Sequence, residues 1–111
     1  EKERNRYIEL VKGILTQKIR EGGIQADISG RPKHLYSIFK KMQSQNIEFS
    51  DIYDITAFRV IVNTIPECYE VLGIVHNLWT PIPGKFKDYI ALPKSNLYQS
   101  LHTTVIGPKG E

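Results

Sequence analysis

Cysteine is nearly absent from this chain of 111 residues, which has Cys68 alone. A disulfide within the chain and a zinc site built from cysteines are therefore excluded, and a reducing compartment fits this usage. No apolar run approaches the roughly 18 residues that a membrane-spanning helix requires, and no signal peptide is recognisable. We therefore expect a cytoplasmic protein that has no membrane partner.

An initiator methionine is also missing, and the chain opens in charged residues that already follow a helical pattern. We therefore expect a piece of a longer protein. The length is that of one domain with a modest core. Hydrophobic residues make up 41% and charged residues 24%, which excludes wholesale disorder and collagen-like fibres.

Basic residues are concentrated in two segments, although the net charge is only +3. Residues 28–45 hold four bases and no acid, and residues 81–110 hold four lysines and one acid. Residues 46–80 between them hold five acids and one base. This distribution fits a phosphate-rich ligand, but composition alone favours solvated surfaces on either side of a core.

Hydrophobic periodicity predicts the order α-β-α-β-α-β-β, an α+β fold in which about four strands form a sheet with helices against it. Two glycines end the first helix, Gly30 to Pro32 form a turn, and proline suits the start of the second helix. Thr64 and Glu67 form a capping box at the third. The predicted helices span residues 2–21, 32–44 and 64–79, and the predicted strands span residues 24–29, 55–62, 89–92 and 100–106. The first helix should bury Ile8, Val11, Leu15 and Ile19, and the third should bury Tyr69, Leu72, Val75 and Trp79.

Bases stand at the start of the second predicted helix, where the helix dipole favours acids. Arg31 and Lys33 lie there, and Ser37, Lys40 and Lys41 continue the polar face opposite an apolar stripe. The free N–H groups of a helix start bind anions, so this helix is a candidate phosphate site. An ordinary amphipathic helix with a basic outer face explains the pattern equally well.

Two charged residues flank or interrupt the apolar strand over residues 55–62. Asp54 precedes it, where a carboxylate can bind magnesium in phosphoryl transfer, although aspartate is also a common turn residue. Arg59 lies inside it and must snorkel, pair or point into a site, where guanidinium groups stack on bases and bind phosphates.

Residues 84–102 combine lysines, amides, a histidine and tyrosines. Interleaved basic and aromatic residues are typical of sites for nucleotides or single-stranded nucleic acid. A polar surface loop is the alternative interpretation.

Four segments resemble the RelA/SpoT alarmone synthetases, in order and over nearly the whole chain. Residues 30–42 resemble their ATP-site helix, 51–61 their magnesium-aspartate strand, 83–91 their donor loop and 93–104 their acceptor-guanine segment. The resemblance implies a nucleotidyltransferase-like mixed sheet with flanking helices. It also implies a GTP diphosphokinase, which moves the β,γ-diphosphate of ATP to the 3′-hydroxyl of GTP or GDP and so makes (p)ppGpp and AMP.

The resemblance also assigns roles residue by residue. Asp54 would bind Mg²⁺, and Asp54 and Lys87 would be the catalytic pair. Arg31 and Arg59 would flank the adenine of ATP. The ATP phosphates would be held by Lys33, Ser37, Lys41, Lys85 and Lys87, and the GTP or GDP acceptor by Lys94, Asn96, Tyr98, Gln99 and His102, with Tyr98 stacked on the guanine.

Two residues depart from the family pattern. Leu97 stands where the family usually has glycine, and Lys85 stands where it usually has arginine. The family's glutamate strand, Glu-x-Gln-x-Arg-Thr, is expected just past residue 111. We therefore interpret residues 1–111 as a synthetase core truncated before that strand, inactive alone and prone to self-association through an exposed edge at residues 100–106. The full-length parent would meet the ribosome through other domains. The rival is a non-catalytic nucleotide- or RNA-binding module that uses the same basic surface.

Overall fold

The computed structural model describes residues 2–32 and 56–110 of the chain. The predicted helix over residues 32–44 lies outside these ranges, except for Pro32. The described elements are α1 (Lys2–Glu21), β1 (Asp27–Pro32), β2 (Thr56–Ile61), α2 (Ile65–Leu78), β3 (Thr80–Pro81), β4 (Lys87–Asp88), β5 (Leu101–His102), β6 (Val105–Ile106) and a 3₁₀ turn (Pro108–Gly110).

Helix α1 forms as predicted, and its apolar face supplies most of the core. Val11, Leu15 and Ile19 are each less than 5% exposed, because a spacing of four residues keeps them on one side of the helix. The helix ends at the glycine pair, where Gly23 adopts φ +77. The amide of Ile24 then donates to the carbonyl of Ile19, which returns the chain toward the core.

Strand β1 pairs with β2 in an antiparallel ladder that runs from Asp27↔Ile61 to Pro32↔Thr56. The predicted strand over residues 24–29 is therefore displaced, and the predicted turn over 30–32 is wrong. Pairing with β2 keeps those three residues extended, which local turn preference could not reveal. β2 itself is confirmed within one residue of its predicted ends.

Gly30 is required by this ladder rather than by a turn. It lies opposite Phe58, and a Cβ atom at Gly30 would meet the Phe58 ring at 2.5 Å. The Phe58 ring occupies the space that a side chain would take, and Ile8 of α1 would lie 3.1 Å from the same Cβ atom, so β1 packs closely on both.

Helix α2 begins as predicted, at the capping box in which the Thr64 hydroxyl oxygen accepts from the amide of Glu67. Its buried residue is Val71, whereas Tyr69 is 40% exposed, so the prediction that Tyr69 faces the core is wrong. Val75 and Trp79 do pack against the core, as predicted.

The remaining strands are two residues long and pair as β3 with β6 and β4 with β5. The predicted strand over residues 100–106 is divided, because its two halves have different partners. The predicted strand over 89–92 is wrong, since the chain turns there. All the described pairs are antiparallel and two-stranded, and with the two helices they confirm the α+β class. Within the described ranges, neither helix is long and apolar enough to cross a membrane.

Candidate functional site

Arg31 and Arg59 lie on one face of the β1–β2 ladder. Arg31 pairs with Ala57 and Arg59 with Ser29, so the two arginines are diagonal neighbours on the same side. Both are exposed, whereas residues of the opposite face pack toward α1. The register thus brings together the two guanidinium groups that the resemblance places around adenine.

The β4–β5 ladder brings a predicted donor-site residue against a predicted acceptor-site residue. Lys87 is the register partner of His102, and Asp88 is the partner of Leu101. Directly opposed residues in an antiparallel pair have Cα atoms about 4.5–5.5 Å apart, with their side chains on the same face. Both Lys87 and His102 are exposed, so this face presents two groups that can bind phosphate or a nucleotide hydroxyl.

Tyr89 links two predicted acceptor-site residues, Lys94 and His102, although no role was predicted for it. The Lys94 Nζ lies 4.5 Å from the centre of the Tyr89 ring. The His102 ring contacts the Tyr89 ring edge to face, with the centroids 5.4 Å apart and the planes at 84°. A tyrosine between basic residues was the available signal, but the segment was interpreted as a strand.

Asp88 anchors the turn that follows β4. Its Oδ1 accepts hydrogen bonds from the amides of Ile90 at 2.9 Å and Ala91 at 2.8 Å, and its Oδ2 accepts from the Tyr69 hydroxyl at 2.8 Å. The bond from the Ala91 amide, followed by that from Tyr69, holds the pKa of Asp88 below its usual range. The same contact raises the pKa of the Tyr69 phenol. Asp88 is therefore a charged anchor, unsuited to accept a proton at neutral pH.

A tight turn presents Tyr98. The Leu97 amide donates to the Lys94 carbonyl at 2.9 Å, and the Tyr98 amide donates to the Asn96 Oδ1 at 3.0 Å. Leu97 adopts φ 64, a left-handed conformation that glycine adopts without strain. The turn thus keeps a glycine-type backbone although the residue is leucine, and the Tyr98 ring is left 55% exposed.

The other predicted site residues are divided between described and undescribed parts of the chain. Lys85 is exposed in the loop before β4, and Gln99 is exposed just before β5. Among the described residues, no group of three His, Cys, Asp or Glu side chains is placed to hold a metal ion. The predicted positions that fall outside the described residues are Lys33, Ser37, Lys41 and Asp54.

Comparison with known proteins gives concordant results. Residues 30–111 match the family described as a region found in RelA / SpoT proteins. A GTP pyrophosphokinase of Myxococcus xanthus is 56% identical over 110 residues, which cover 99% of this chain and 14% of that protein. A guanosine-3′,5′-bis(diphosphate) 3′-pyrophosphohydrolase of Aquifex aeolicus is 58% identical over 95 residues, 86% of this chain and 14% of that protein.

The fold is similar to that of the small alarmone synthetase 1 of Bacillus subtilis, solved with its product pppGpp. The TM-score is 0.72 at 22% identity, over 97% of this chain and 64% of that chain. At this identity the structural comparison shows the fold alone, whereas the family match and the curated relatives show similarity of sequence over most of the chain. The chain spans about one seventh of the length of the curated relatives named above, and it belongs to the RelA/SpoT family.

Proposed function

We propose that this chain forms the synthetase site of a GTP pyrophosphokinase, which transfers diphosphate from ATP to the 3′-hydroxyl of GTP or GDP. The observation that carries the proposal is the register of the β4–β5 ladder, which sets Lys87 opposite His102. One of these residues is expected on the phosphates of the donor and the other on the acceptor. A transfer between two nucleotides requires such groups side by side.

The described residues suggest a division of the site. ATP would lie with its adenine between the exposed guanidinium groups of Arg31 and Arg59, where cation–π contacts stabilise the base. The acceptor guanine would stack on the exposed ring of Tyr98. The phosphates between them would meet Lys85 and Lys87, whose charges offset the negative charge that develops during transfer.

Asp54 would supply the carboxylate for Mg²⁺, which neutralises charge on the phosphate oxygens when it is bound. Magnesium is commonly held by one or two carboxylates together with substrate phosphates, so a single aspartate fits this chemistry. Asp88, the acid of the described site, has a different role, because its oxygens accept the hydrogen bonds that hold the turn after β4 and the Tyr69 hydroxyl.

The parent protein would act in the cytoplasm, and ribosome binding would involve other domains. A second copy of the chain could pair with β6, where Ile106 is 45% exposed. Strand β6 pairs with β3 along one edge, and no other described strand pairs with it.

The rival is a non-catalytic module that binds a nucleotide or RNA through the same basic surface. It shares every feature of the site except the need for Asp54, because binding alone requires no metal-binding carboxylate. Substitution of Asp54 therefore separates the two functions.

The test is Asp54→Asn in a full-length protein that contains this sequence, with synthesis of (p)ppGpp from ATP and GDP as the readout. We expect synthesis to fall by roughly a thousandfold, about 4 kcal/mol of transition-state stabilisation, while each nucleotide still binds. Glu9→Gln, on the exposed surface of α1, is the matched control and should retain full activity. Synthesis by Asp54→Asn near the wild-type rate would remove Asp54 from the mechanism, and a wild-type protein that binds without synthesis would favour the rival.

A further inference from the structure

A half-buried histidine of α2 contacts both segments that carry the candidate site. The His76 Nε2 lies 2.8 Å from the Thr103 Oγ1. The same ring meets the Phe86 ring edge to face, with the centroids 6.4 Å apart and the planes at 72°. One imidazole therefore joins the loop before β4 to the chain that follows β5.

These contacts lie next to the groups that the proposed function places on the substrates. Phe86 stands between Lys85 and Lys87, and Thr103 directly follows His102. We propose that His76 is a positioning residue, which holds the lysine segment and the acceptor segment in register for transfer. This inference rests on the proposed function and adds to it a residue on which the geometry depends.

The site needs a stabilising contact of this kind because the β4–β5 ladder is short. Strands β4 and β5 contribute two residues each, and a pair of that length is marginal without further packing. No described apolar side chain from residue 80 to residue 110 is buried. Helix α2, by contrast, is fixed to the core through Val71. His76 lies on this helix, so its contacts with Phe86 and Thr103 link the site to the core.

The geometry also separates this role from chemistry on the substrate. The Nε2 of His76 already contacts Thr103, and the imidazole ring packs against the Phe86 ring. Either direction of the hydrogen bond serves, since a neutral imidazole can accept from the hydroxyl or donate to it. His76 therefore acts through the residues that it holds.

The test uses three substitutions in the full-length protein. His76→Phe retains an aromatic ring and removes the hydrogen bond, His76→Gln retains an amide that can reach Thr103, and Thr103→Val removes the hydroxyl with little change of shape. Asn77→Ala is the control, because Asn77 is the exposed neighbour of His76 on α2. The readouts are kcat, KM for ATP and for GDP, and the thermal midpoint.

We expect His76→Phe and Thr103→Val each to lower kcat roughly tenfold to a hundredfold, the size of effect that a misplacement of about 1 Å produces. Both KM values should stay within about threefold and the thermal midpoint within a few degrees. The double variant should lose no more than the worse single variant, because both changes remove one bond. His76→Gln should recover part of kcat, and Asn77→Ala should match the wild type.

Three outcomes would overturn the inference while leaving the proposed function intact. In the first, the wild type is active and His76→Phe is equally active. In the second, the losses of kcat in His76→Phe and Thr103→Val add in the double variant. In the third, the loss of activity is matched by a loss of folded protein. A wild-type protein that makes no alarmone in the same assay would overturn the proposed function, and this inference with it.

Discussion

Two regions of the chain are held together by different forces. Residues 2–32, with β2 and α2, contain every buried hydrophobic side chain of the described residues, and all of these except Ile8 pack in one core cluster. In residues 80–110 no described apolar side chain is buried, and the chain is held by two-residue ladders, hydrogen bonds and ring contacts. The first region is a scaffold made by apolar burial, and the second, which we name the site arm, carries most of the described candidate residues.

Because apolar burial stabilises more than hydrogen bonds do, we expect the scaffold to be more stable than the site arm. Burial of one aliphatic or aromatic side chain contributes about 1.5–3 kcal/mol, whereas a hydrogen bond contributes a net of about 0.5–1.5 kcal/mol. The site arm should therefore open locally at a lower free energy than the scaffold unfolds. We expect the scaffold to be ordered without nucleotides and the site arm to become fully ordered only when nucleotides bind.

The scaffold should respond most strongly to loss of its best buried side chain. Ile19 is 1% exposed, so Ile19→Ala should lower the free energy of unfolding by about 2–5 kcal/mol through lost burial and the cavity left behind. Urea unfolding measures this effect. Arg20→Ala, at the exposed neighbouring position, should change it by less than about 0.5 kcal/mol. Equal losses would contradict the assignment of the core to this face of α1.

The close approach of β1 to β2 gives the next largest effect. Gly30→Ala would force a Cβ atom against the Phe58 ring and should cost about 1–3 kcal/mol of unfolding free energy. Replacing the ring as well, in Gly30→Ala with Phe58→Leu, should cost less than the sum of the two single changes. Strictly additive losses would show that Gly30 is needed for another reason.

The site arm should show the opposite behaviour, with binding lost and stability kept. Tyr98→Ala should weaken GDP or GTP binding by about 1–3 kcal/mol, the value of base stacking on an aromatic ring. The unfolding free energy should change little because the ring is largely exposed. The affinity for ATP should change little because Tyr98 is assigned to the acceptor nucleotide. Separate titrations of each nucleotide measure this, with exposed Leu92→Ala as control. A matching fall in ATP affinity would refute the proposed division of the site.

The smallest effect is a gain. Leu97→Gly should relieve the left-handed backbone at φ 64 and raise stability by up to about 1 kcal/mol, after the added freedom of glycine in the unfolded chain is offset. Leu92→Gly is the matched control, since Leu92 and Leu97 are both 77% exposed but Leu92 does not have a positive φ. Stabilisation of both variants, or of neither, would argue against strain at Leu97.

Features determined by neighbours in sequence could be predicted. The face of α1 and the capping box at Thr64 follow from spacings of three and four residues, and both are confirmed. The turn after β4 was missed because Asp88 takes up the amides that a strand would have used. Its partner Tyr69, 19 residues away, was interpreted as a core residue since periodicity cannot show which side chain a distant carboxylate will meet.

The candidate site shows the same limit. Motifs indicated Lys87 and His102 separately, but only the strand register sets them opposite each other. Tyr89 lies in the donor-loop segment but had no predicted role, and His76 lies outside all four segments, because their roles arise from contacts with residues 5 to 27 positions away. Resemblance to a family therefore supplied the candidate residues, whereas the contacts between them follow only from the strand register and the packing of α2.

Amide hydrogen exchange in the full-length protein, with and without ATP and GDP, measures this difference between the scaffold and the site arm. Without nucleotide, the amides of Tyr89 and Ile82, which donate to Ser100 and Thr104, should exchange much faster than those of Leu15 and Ile19. With nucleotides, exchange at Tyr89 should slow by at least tenfold while α1 is unchanged. Equal protection of both regions without nucleotide, or no slowing in the site arm when nucleotides are bound, would show that the site arm does not depend on nucleotides for its order.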